Sequence, residues 1–219
     1  WCGFHSAPAP LRQGSYRSLA AVANTFARES HMEEIAARLD IDPVEFRLRH
    51  TADSRLREVI EQAAALGGWG ARKPDALGFA ANLEKDARLA LCVEAHVDGK
   101  AKSVKVTRAV MVFDPGAVLN PDHLKNQIEG AVMQGLGGAL FEQIRWQGAR
   151  FVTRRLSAYR VPRFSDLPKI EVRLIHRPGI EAAGAGESPI TVVAPAIASA
   201  IFQAAGRRIR SLPLLPAWA

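Results

Sequence analysis

The first third of the chain carries apolar side chains at helical spacing in three successive segments. From Ser18 to Leu39, apolar residues recur with a helical period and charged residues lie between them, which predicts a long amphipathic helix. Asp42 can cap a second, shorter helix, and Pro43 suits its first turn. A third stripe runs from Ser54 to Leu66 and ends at Gly67. We therefore expect a helical first third whose apolar stripes face a core.

The pattern then changes from helical spacing to alternation. Apolar and polar residues alternate on both sides of Asp98-Gly99, which predicts a β-hairpin. Asp114-Pro115-Gly116 breaks the second strand of that hairpin. Further strands are predicted near 141–146, 150–153 and 169–176, with Gly148 turning between the first two.

One helix is predicted to begin at Asn120-Pro121, and it is unusually rich in glycine. The apolar residues that share one face are Leu124, Ile128, Val132, Leu136 and Leu140. The glycines are Gly130, Gly135, Gly137 and Gly138. Because each glycine weakens an isolated helix by about 1 kcal/mol relative to Ala, we expect close packing or close approach of a ligand there.

These elements together predict an α+β fold, with strands and packed helices following the helical first third. We divide the chain into a helical segment, residues 1–75, and an α+β domain, residues 76–219. The second part carries a small-residue loop that ends in a carboxylate and leads into a helix.

This loop, near Glu187, is the stretch where chemistry is most expected. Gly184 and Gly186 allow positive φ and close approach of a ligand, while Pro189 and Pro195 suit the opening turns of a helix. A carboxylate at a helix N-terminus can be a plain helix-terminal charge or a positioned base. Residue spacing leaves both interpretations open, and the plain one is the commoner.

The net charge of +7 comes mainly from arginine and suggests anionic partners. The basic residues cluster in 145–163 and at Arg207, Arg208 and Arg210. With 7% aromatic residues and no recognised nucleic-acid module, a nucleic-acid partner is not expected. A solvated or subunit-facing surface, or a phosphate-bearing cofactor, would account for the same charge.

Other features of the composition limit the class of protein. Cys2 and Cys92 form no zinc motif, and Cys92 is expected to be a small buried apolar residue. No apolar run reaches the roughly 20 residues needed to cross a bilayer, so no membrane span is expected. Trp1 opens the sequence without a Met or a signal pattern, which suggests an internal or processed piece and leaves cytoplasm and periplasm equally open.

Four segments carry motifs that are specific beyond their secondary structure: residues 14–50, 113–142, 157–172 and 184–214. The last joins a Gly-x-Gly-Glu loop, an Ala-rich helix and Arg-Ile-Arg-x-Leu-Pro. Together they resemble the C-terminal half of the molybdopterin-binding subunit of the xanthine dehydrogenase and aldehyde oxidase family. The isoquinoline 1-oxidoreductase type of large (beta) chain is the most similar.

The resemblance implies an oxidoreductase that hydroxylates an N-heteroaromatic or aldehyde substrate with a water-derived oxygen. Glu187 fills the position of the base that accepts the hydroxyl proton. Gln127 matches a glutamine that helps hold the cofactor, and Arg17 matches an arginine near the metal. Gly184, Ala185 and Gly186 would shape the loop around the cofactor, and no residue is assigned as a metal ligand.

The resemblance also implies partners. The cofactor would be molybdenum-molybdopterin, in its cytosine dinucleotide form, shared with the N-terminal half of the molybdenum subunit. Electrons would leave through a separate [2Fe–2S] subunit. Three places in the chain differ from the residues that are usual in the family: Tyr16, Gly14-Ser15 and Asp114-Pro115-Gly116. These differences bear on the substrate pocket and not on the fold. The alternative function is a non-catalytic assembly or interaction module that keeps the fold without cofactor.

Overall fold

The first three helices lie close to their predicted positions. The computed structural model describes residues 14–71 and 75–218. Helix α1 spans Ala21–Arg38, α2 spans Pro43–Arg49 and α3 spans Ser54–Gly67. The Asp42 carboxylate accepts hydrogen bonds from the backbone N–H groups of Val44 and Glu45, so its predicted capping role is confirmed.

A four-stranded sheet follows, with strand order β1-β2-β3-β6. The strands are β1 Ala76–Glu84, β2 Ala87–Asp98, β3 Ser103–Asp114 and β6 Lys169–Leu174. The first three are antiparallel, which confirms the predicted hairpin at Asp98-Gly99, and β6 runs parallel to β3. Strand β1 was not predicted, because five consecutive buried residues give it no alternating pattern.

Helices cover both faces of the sheet. Helices α4, Pro121–Leu140, and α5, Val193–Ala205, share one apolar core with the sheet, and α6 spans Leu214–Trp218. Helix α3 covers the other face through Val59, Ile60 and Ala63. Cys92 lies in this second core with 2% of its surface exposed, as expected of a small apolar residue. The predicted α+β class is thus confirmed.

Close packing requires some of the glycines of α4 but not all of them. A Cβ on Gly135 would lie 2.8 Å from Cβ of Val193, and one on Gly137 would meet the side chains of Glu142 and Pro162 at 2.8 Å or closer. Close packing is therefore confirmed at both positions. A Cβ on Gly130 would meet nothing within 4 Å among the described residues, so packing does not require that glycine.

The region after α4 contains less regular structure than predicted. Strands β4, Trp146–Gln147, and β5, Arg150–Phe151, have two residues each and pair only with each other. Gly148 turns between them with φ of 56°, as predicted. Large apolar side chains remain exposed here, including Leu156 at 92% and Phe164 at 98%. The longer predicted strands were wrong, because no other strand among the described residues lies beside this segment to extend it.

One helical stretch approaches the length and apolar character of a membrane span. Residues Ser188–Ala205 form an 18-residue helical stretch with mean hydropathy 1.5, long and apolar enough for a candidate membrane span. In the fold, 72% of this stretch is buried inside the protein, as expected of a core helix.

The division of the chain at residue 75 stays a prediction.

Candidate functional site

Arg17 joins the parts of the site that the sequence predicted separately. Its guanidinium donates from Nε to the Gly186 carbonyl at 2.7 Å and from Nη2 to the Ala185 carbonyl at 3.3 Å. Nη2 also donates to Oε1 and to the backbone carbonyl of Gln127, at 3.0 and 3.1 Å. One side chain just before α1 therefore holds the glycine loop against α4.

Gln127 lies at the edge of a cavity of about 230 Å³. The cavity is lined by the loop after β3, the first turns of α4 and the residues that lead into the glycine loop. Its lining residues are Pro115, Ala117, Leu119, Asn120, His123, Leu124, Gln127, Ala182, Ala183 and Gly184. Because Arg17 binds Oε1 of Gln127, the amide NH₂ of that residue points the other way and can donate to a ligand.

A tight turn after β3 holds the cavity wall in place. Gly116 has φ of 79°, and a Cβ there would lie 2.3 Å from the Glu181 carbonyl oxygen. The backbone N–H of Ala183 donates to the Pro115 carbonyl at 2.7 Å. The Asp-Pro-Gly turn thus fixes the segment that enters the glycine loop.

Asp114, at the end of β3, anchors this turn. Its carboxylate is fully buried and accepts hydrogen bonds from Arg55, from Arg177 at 2.6 Å and from the Gly116 N–H at 2.9 Å. Burial alone would raise the pKa of this carboxyl, but these hydrogen bonds hold the pKa of Asp114 below its ordinary value. The side chain is therefore an ionised structural anchor.

The glycine loop does not use the full conformational freedom of its glycines. Gly184 and Gly186 allow positive φ, but neither adopts it in the structure. A Cβ on Gly186 would meet nothing within 4 Å, and one on Gly184 would meet only the backbone nitrogen of Gly186 at 4.0 Å. Contacts within the described chain therefore do not explain why these positions lack a side chain.

Glu187 follows the loop and precedes a short 3₁₀ helix, Ser188–Val192. Its side chain makes no capping hydrogen bond to that helix. The carboxylate Oε2 instead pairs with Nζ of Lys85, which lies in the turn between β1 and β2. About a third of the Glu187 side chain is exposed, so a carboxylate oxygen remains accessible.

Tyr16 lies beside Arg17 and faces the end of α4. Burial raises the pKa of Tyr16 and the neighbouring Glu142 raises it further, while a hydrogen bond with Gln134 opposes both. Tyr159 donates to Glu142 at 3.0 Å, and burial followed by this hydrogen bond raises the pKa of Tyr159 to about 12. Both phenols are therefore neutral at physiological pH, and the Tyr159 hydroxyl is the donor to Glu142.

Part of the basic charge that suggested anionic partners is used inside the molecule. Arg208 binds the buried carboxylate of Glu33 at 2.7 Å, and Arg210 binds Glu34 at 2.8 Å. Both attach the segment after α5 to α1. Both arginines are thus engaged by carboxylates of α1, and an anion-binding role for this cluster stays a prediction.

The sequence analysis did not predict Lys85 as a residue of the site. It lies 102 positions from Glu187 in an unpredicted strand connection, and no motif marks it. The signal that could have found it is the Glu-Lys-Asp turn between two apolar runs, which has the length of a hairpin turn.

The structure defines an α+β domain with a glycine loop, a positioned carboxylate and a cavity of about 230 Å³, smaller than most ligand sites. Residues 19–168 match the family described as "Molybdopterin cofactor-binding domain". The match covers more than half of the chain, and the chain belongs to this family.

Individual relatives agree with the family match. The chain is 34% identical over 209 residues to the beta chain of isoquinoline 1-oxidoreductase from Brevundimonas diminuta, and the match covers 93% of this chain and 27% of that protein. It is 31% identical over 228 residues to a nicotinate dehydrogenase subunit of Pseudomonas putida, covering 94% of this chain and 19% of that protein. It thus spans between about a fifth and a quarter of these relatives' length.

A solved structure supports the fold. The aldehyde oxidoreductase from Desulfovibrio gigas superposes with a TM-score of 0.74 over 93% of this chain and 41% of that chain. Because the identity is 15%, this likeness supports the fold alone.

Proposed function

We propose that this chain is part of the molybdenum subunit of an oxidoreductase that hydroxylates an N-heteroaromatic or aldehyde substrate, with Glu187 as the general base. The observation that carries the proposal is the set of hydrogen bonds from Arg17 to the Ala185 and Gly186 carbonyls and to Gln127. They bring the three parts of the implied site together across 169 positions of sequence. The names of the relatives, a nicotinate dehydrogenase and an isoquinoline oxidoreductase, support the substrate class.

The residues present suit a molybdopterin cofactor on one side. Gly184 and Gly186 leave open space where side chains would otherwise project, so a ligand can approach the loop backbone. Gln127 lines the adjacent cavity, and because its Oε1 accepts from Arg17, its NH₂ group is the part of the amide available to a ligand. The cavity among the described residues, about 230 Å³, is below the roughly 300–1,000 Å³ of ordinary ligand sites, so the proposal requires a further wall beyond these residues.

Each residue of the site then has a distinct task. The bound molybdenum-molybdopterin supplies the oxidising centre and the water-derived oxygen. Arg17 fixes the loop and orients Gln127, whose NH₂ group binds the cofactor. With Oε2 of Glu187 engaged by Lys85, Oε1 is the oxygen that accepts the proton from the attacking hydroxyl.

The partners follow from the same assignment. The N-terminal half of the molybdenum subunit supplies the other wall of the site, since the relatives extend far beyond the matched region. We further propose the cytosine dinucleotide form of the cofactor and a [2Fe–2S] subunit that removes the electrons. Molybdenum and nucleotide analysis of the intact subunit, with iron analysis of the complex, measures both.

The decisive variant is Glu187→Gln in the intact subunit. Gln keeps the size and hydrogen-bonding reach of Glu but cannot accept the proton, so kcat should fall by about 10²–10⁴-fold at unchanged molybdenum content. Steady-state kinetics on heteroaromatic and aldehyde substrates, normalised to bound molybdenum, provide the measurement. Glu181→Gln is the matched control, because Glu181 is an exposed carboxylate in the segment that leads into the same loop. This variant should keep the wild-type kcat.

Two outcomes would count against the assignment. A Glu187→Gln enzyme with more than roughly a tenth of the wild-type kcat would remove Glu187 as the base, since loss of a general base exceeds that factor. An intact subunit that contains no molybdenum would favour the alternative function, an assembly module without cofactor. The 219-residue chain alone should bind no molybdenum, because it forms one wall of the site only.

A further inference from the structure

A tight turn between β1 and β2 fixes the backbone position of Lys85. Lys85 and Asp86 are the two residues between paired Glu84 and Ala87, and their φ angles are 51° and 61°. Positive φ at both central positions matches the twist of a two-residue hairpin turn. The Asp86 carbonyl accepts a hydrogen bond from Arg88 at 2.7 Å, and Arg88 binds Asp53 at 2.8 Å. The turn is thereby attached to the start of α3.

The Glu187 carboxylate faces this turn from the other side. Lys85 contacts the carboxylate, whereas Arg17 contacts the backbone one residue earlier, at Gly186. Arg28, on the helix packed against the loop, is engaged by Glu29 and Asn82. The nearby acidic groups, Glu84 and Asp86, belong to the turn itself. Two cations therefore hold this region, one at the backbone and one at the side chain.

We propose that Lys85 is a positioning residue for Glu187, which keeps the carboxylate ionised and directed from the β1–β2 turn before substrate binds. This rests on the proposed function of Glu187 as the base. A nearby ammonium favours the charged form of a carboxyl group, and a general base must be unprotonated to act. The contact also occupies Oε2, which leaves one defined oxygen to accept the proton.

The first test uses the 219-residue chain and does not need the cofactor. NMR titration of ¹³C-labelled glutamate measures the pKa of Glu187 in wild type and in Lys85→Asn, Lys85→Arg and Lys169→Asn. Asn tolerates positive φ, so the turn should be kept while the charge is removed. We expect Lys85→Asn to raise the pKa of Glu187 by about 0.5–1 unit, a partly exposed pair giving less than a buried one.

The controls separate charge from structure. Lys85→Arg keeps the charge and should leave the Glu187 titration near that of wild type. Lys169→Asn removes a lysine that pairs with Glu171 on β6 and should leave it unchanged. An unchanged Glu187 titration in Lys85→Asn would overturn the proposal, as would the same shift in Lys169→Asn.

The second test uses the intact subunit and follows kcat/KM against pH. The acid limb of the profile should move to higher pH in Lys85→Asn by the shift seen in the titration, and Lys85→Arg should restore it. If Glu187→Gln kept its activity, the proposed function would fail whatever Lys85 does. If Glu187→Gln were inactive and the Lys85→Asn profile unmoved, the positioning role would fail alone.

Discussion

Helices α5 and α1 are attached to the rest of the fold in different ways. The core face of α5 is apolar, with Ala196, Ile197, Ala200 and Ile201 buried. The approach to the sheet is so close that a Cβ on Gly78 would lie 2.0 Å from the Ala196 carbonyl oxygen. Helix α1 buries Phe26 and also the polar side chains of Thr25, Glu29 and Glu33.

The buried polar side chains of Thr25, Glu29 and Glu33 in α1 each have a partner on another element. The Glu29 carboxylate binds Arg47 of α2 and the backbone N–H of Ala81 in β1, both at 2.9 Å. Asn82 donates to Thr25 of α1 at 3.1 Å and to Thr191 of the 3₁₀ helix at 3.0 Å. Glu33 accepts hydrogen bonds from Ser199 of α5 and from Arg208.

The difference teaches how the site is positioned. Apolar burial is non-directional, so it stabilises α5 without selecting one register for its neighbours. Hydrogen-bonded charges satisfy each other in few arrangements. Because Arg17 precedes α1 and the glycine loop precedes α5, the polar contacts between these helices set the distance from Arg17 to Gly186.

The largest expected effect comes from breaking a buried ion pair of α1. Arg47→Met keeps much of the side-chain volume but leaves Glu29 buried beside the weaker contact from Arg28 at 3.3 Å. We expect a loss of about 3 kcal/mol in the free energy of unfolding, measured by urea denaturation. Arg49→Met is the matched control, because its pair with Glu45 is exposed and contributes about 0.3–0.5 kcal/mol. Equal losses in the two variants would contradict the distinction.

A smaller effect is expected at the apolar contact between α4 and α5. Gly135→Ala would place a Cβ 2.8 Å from Val193, and we expect the overpacking to destabilise the chain by about 1–3 kcal/mol. In Gly130→Ala the new Cβ meets nothing within 4 Å, so the higher helix propensity of Ala should stabilise the chain by about 0.5–1 kcal/mol. A lower melting temperature in Gly135→Ala and a higher one in Gly130→Ala would confirm that close packing requires Gly135 but not Gly130. A stabilised Gly135→Ala would show that the contact can relax.

The smallest effect is confined to acidic pH and concerns Asp114. Because its folded-state pKa lies below its ordinary value, its contribution to stability is complete above the unfolded-state pKa of about 3.9 and is lost as pH falls through the folded-state pKa. The stability difference between wild type and Asp114→Asn should therefore shrink as pH falls below about 4. Urea denaturation at a series of pH values provides the measurement.

Salt separates this buried anchor from a surface pair. Hydrogen bonds from Arg108 and Lys169 lower the pKa of Glu171 to about 2, but this carboxylate lies at the surface. We expect the pH dependence due to Glu171 to weaken in about 0.5 M salt and that due to Asp114 to persist, since buried charges are screened less. An equal loss of both in salt would argue that Asp114 is accessible to solvent.

The elements that could be predicted are those set by neighbours in sequence. The cap at Asp42, the start of α4 at Asn120 and the hairpin at Asp98-Gly99 each depend on a few adjacent residues. Local spacing determines these features because their hydrogen bonds close over a few positions. The Gly-x-Gly-Glu loop was also found locally, but spacing left Glu187 open between a helix-terminal charge and a base, and its assignment as the base came from the resemblance to the family.

Only the tertiary structure decided which distant residues meet. The sequence of strand β1 shows no alternation of apolar and polar residues. The strand is buried on both faces because helices cover both sides of the sheet, and this only the tertiary structure shows. Arg17 and Gly186 are 169 positions apart, and Lys85 and Glu187 are 102 apart. An arginine or lysine is equally compatible with water at the surface and with a carboxylate or carbonyl elsewhere in the chain, so its partner depends on how the helices pack on the sheet.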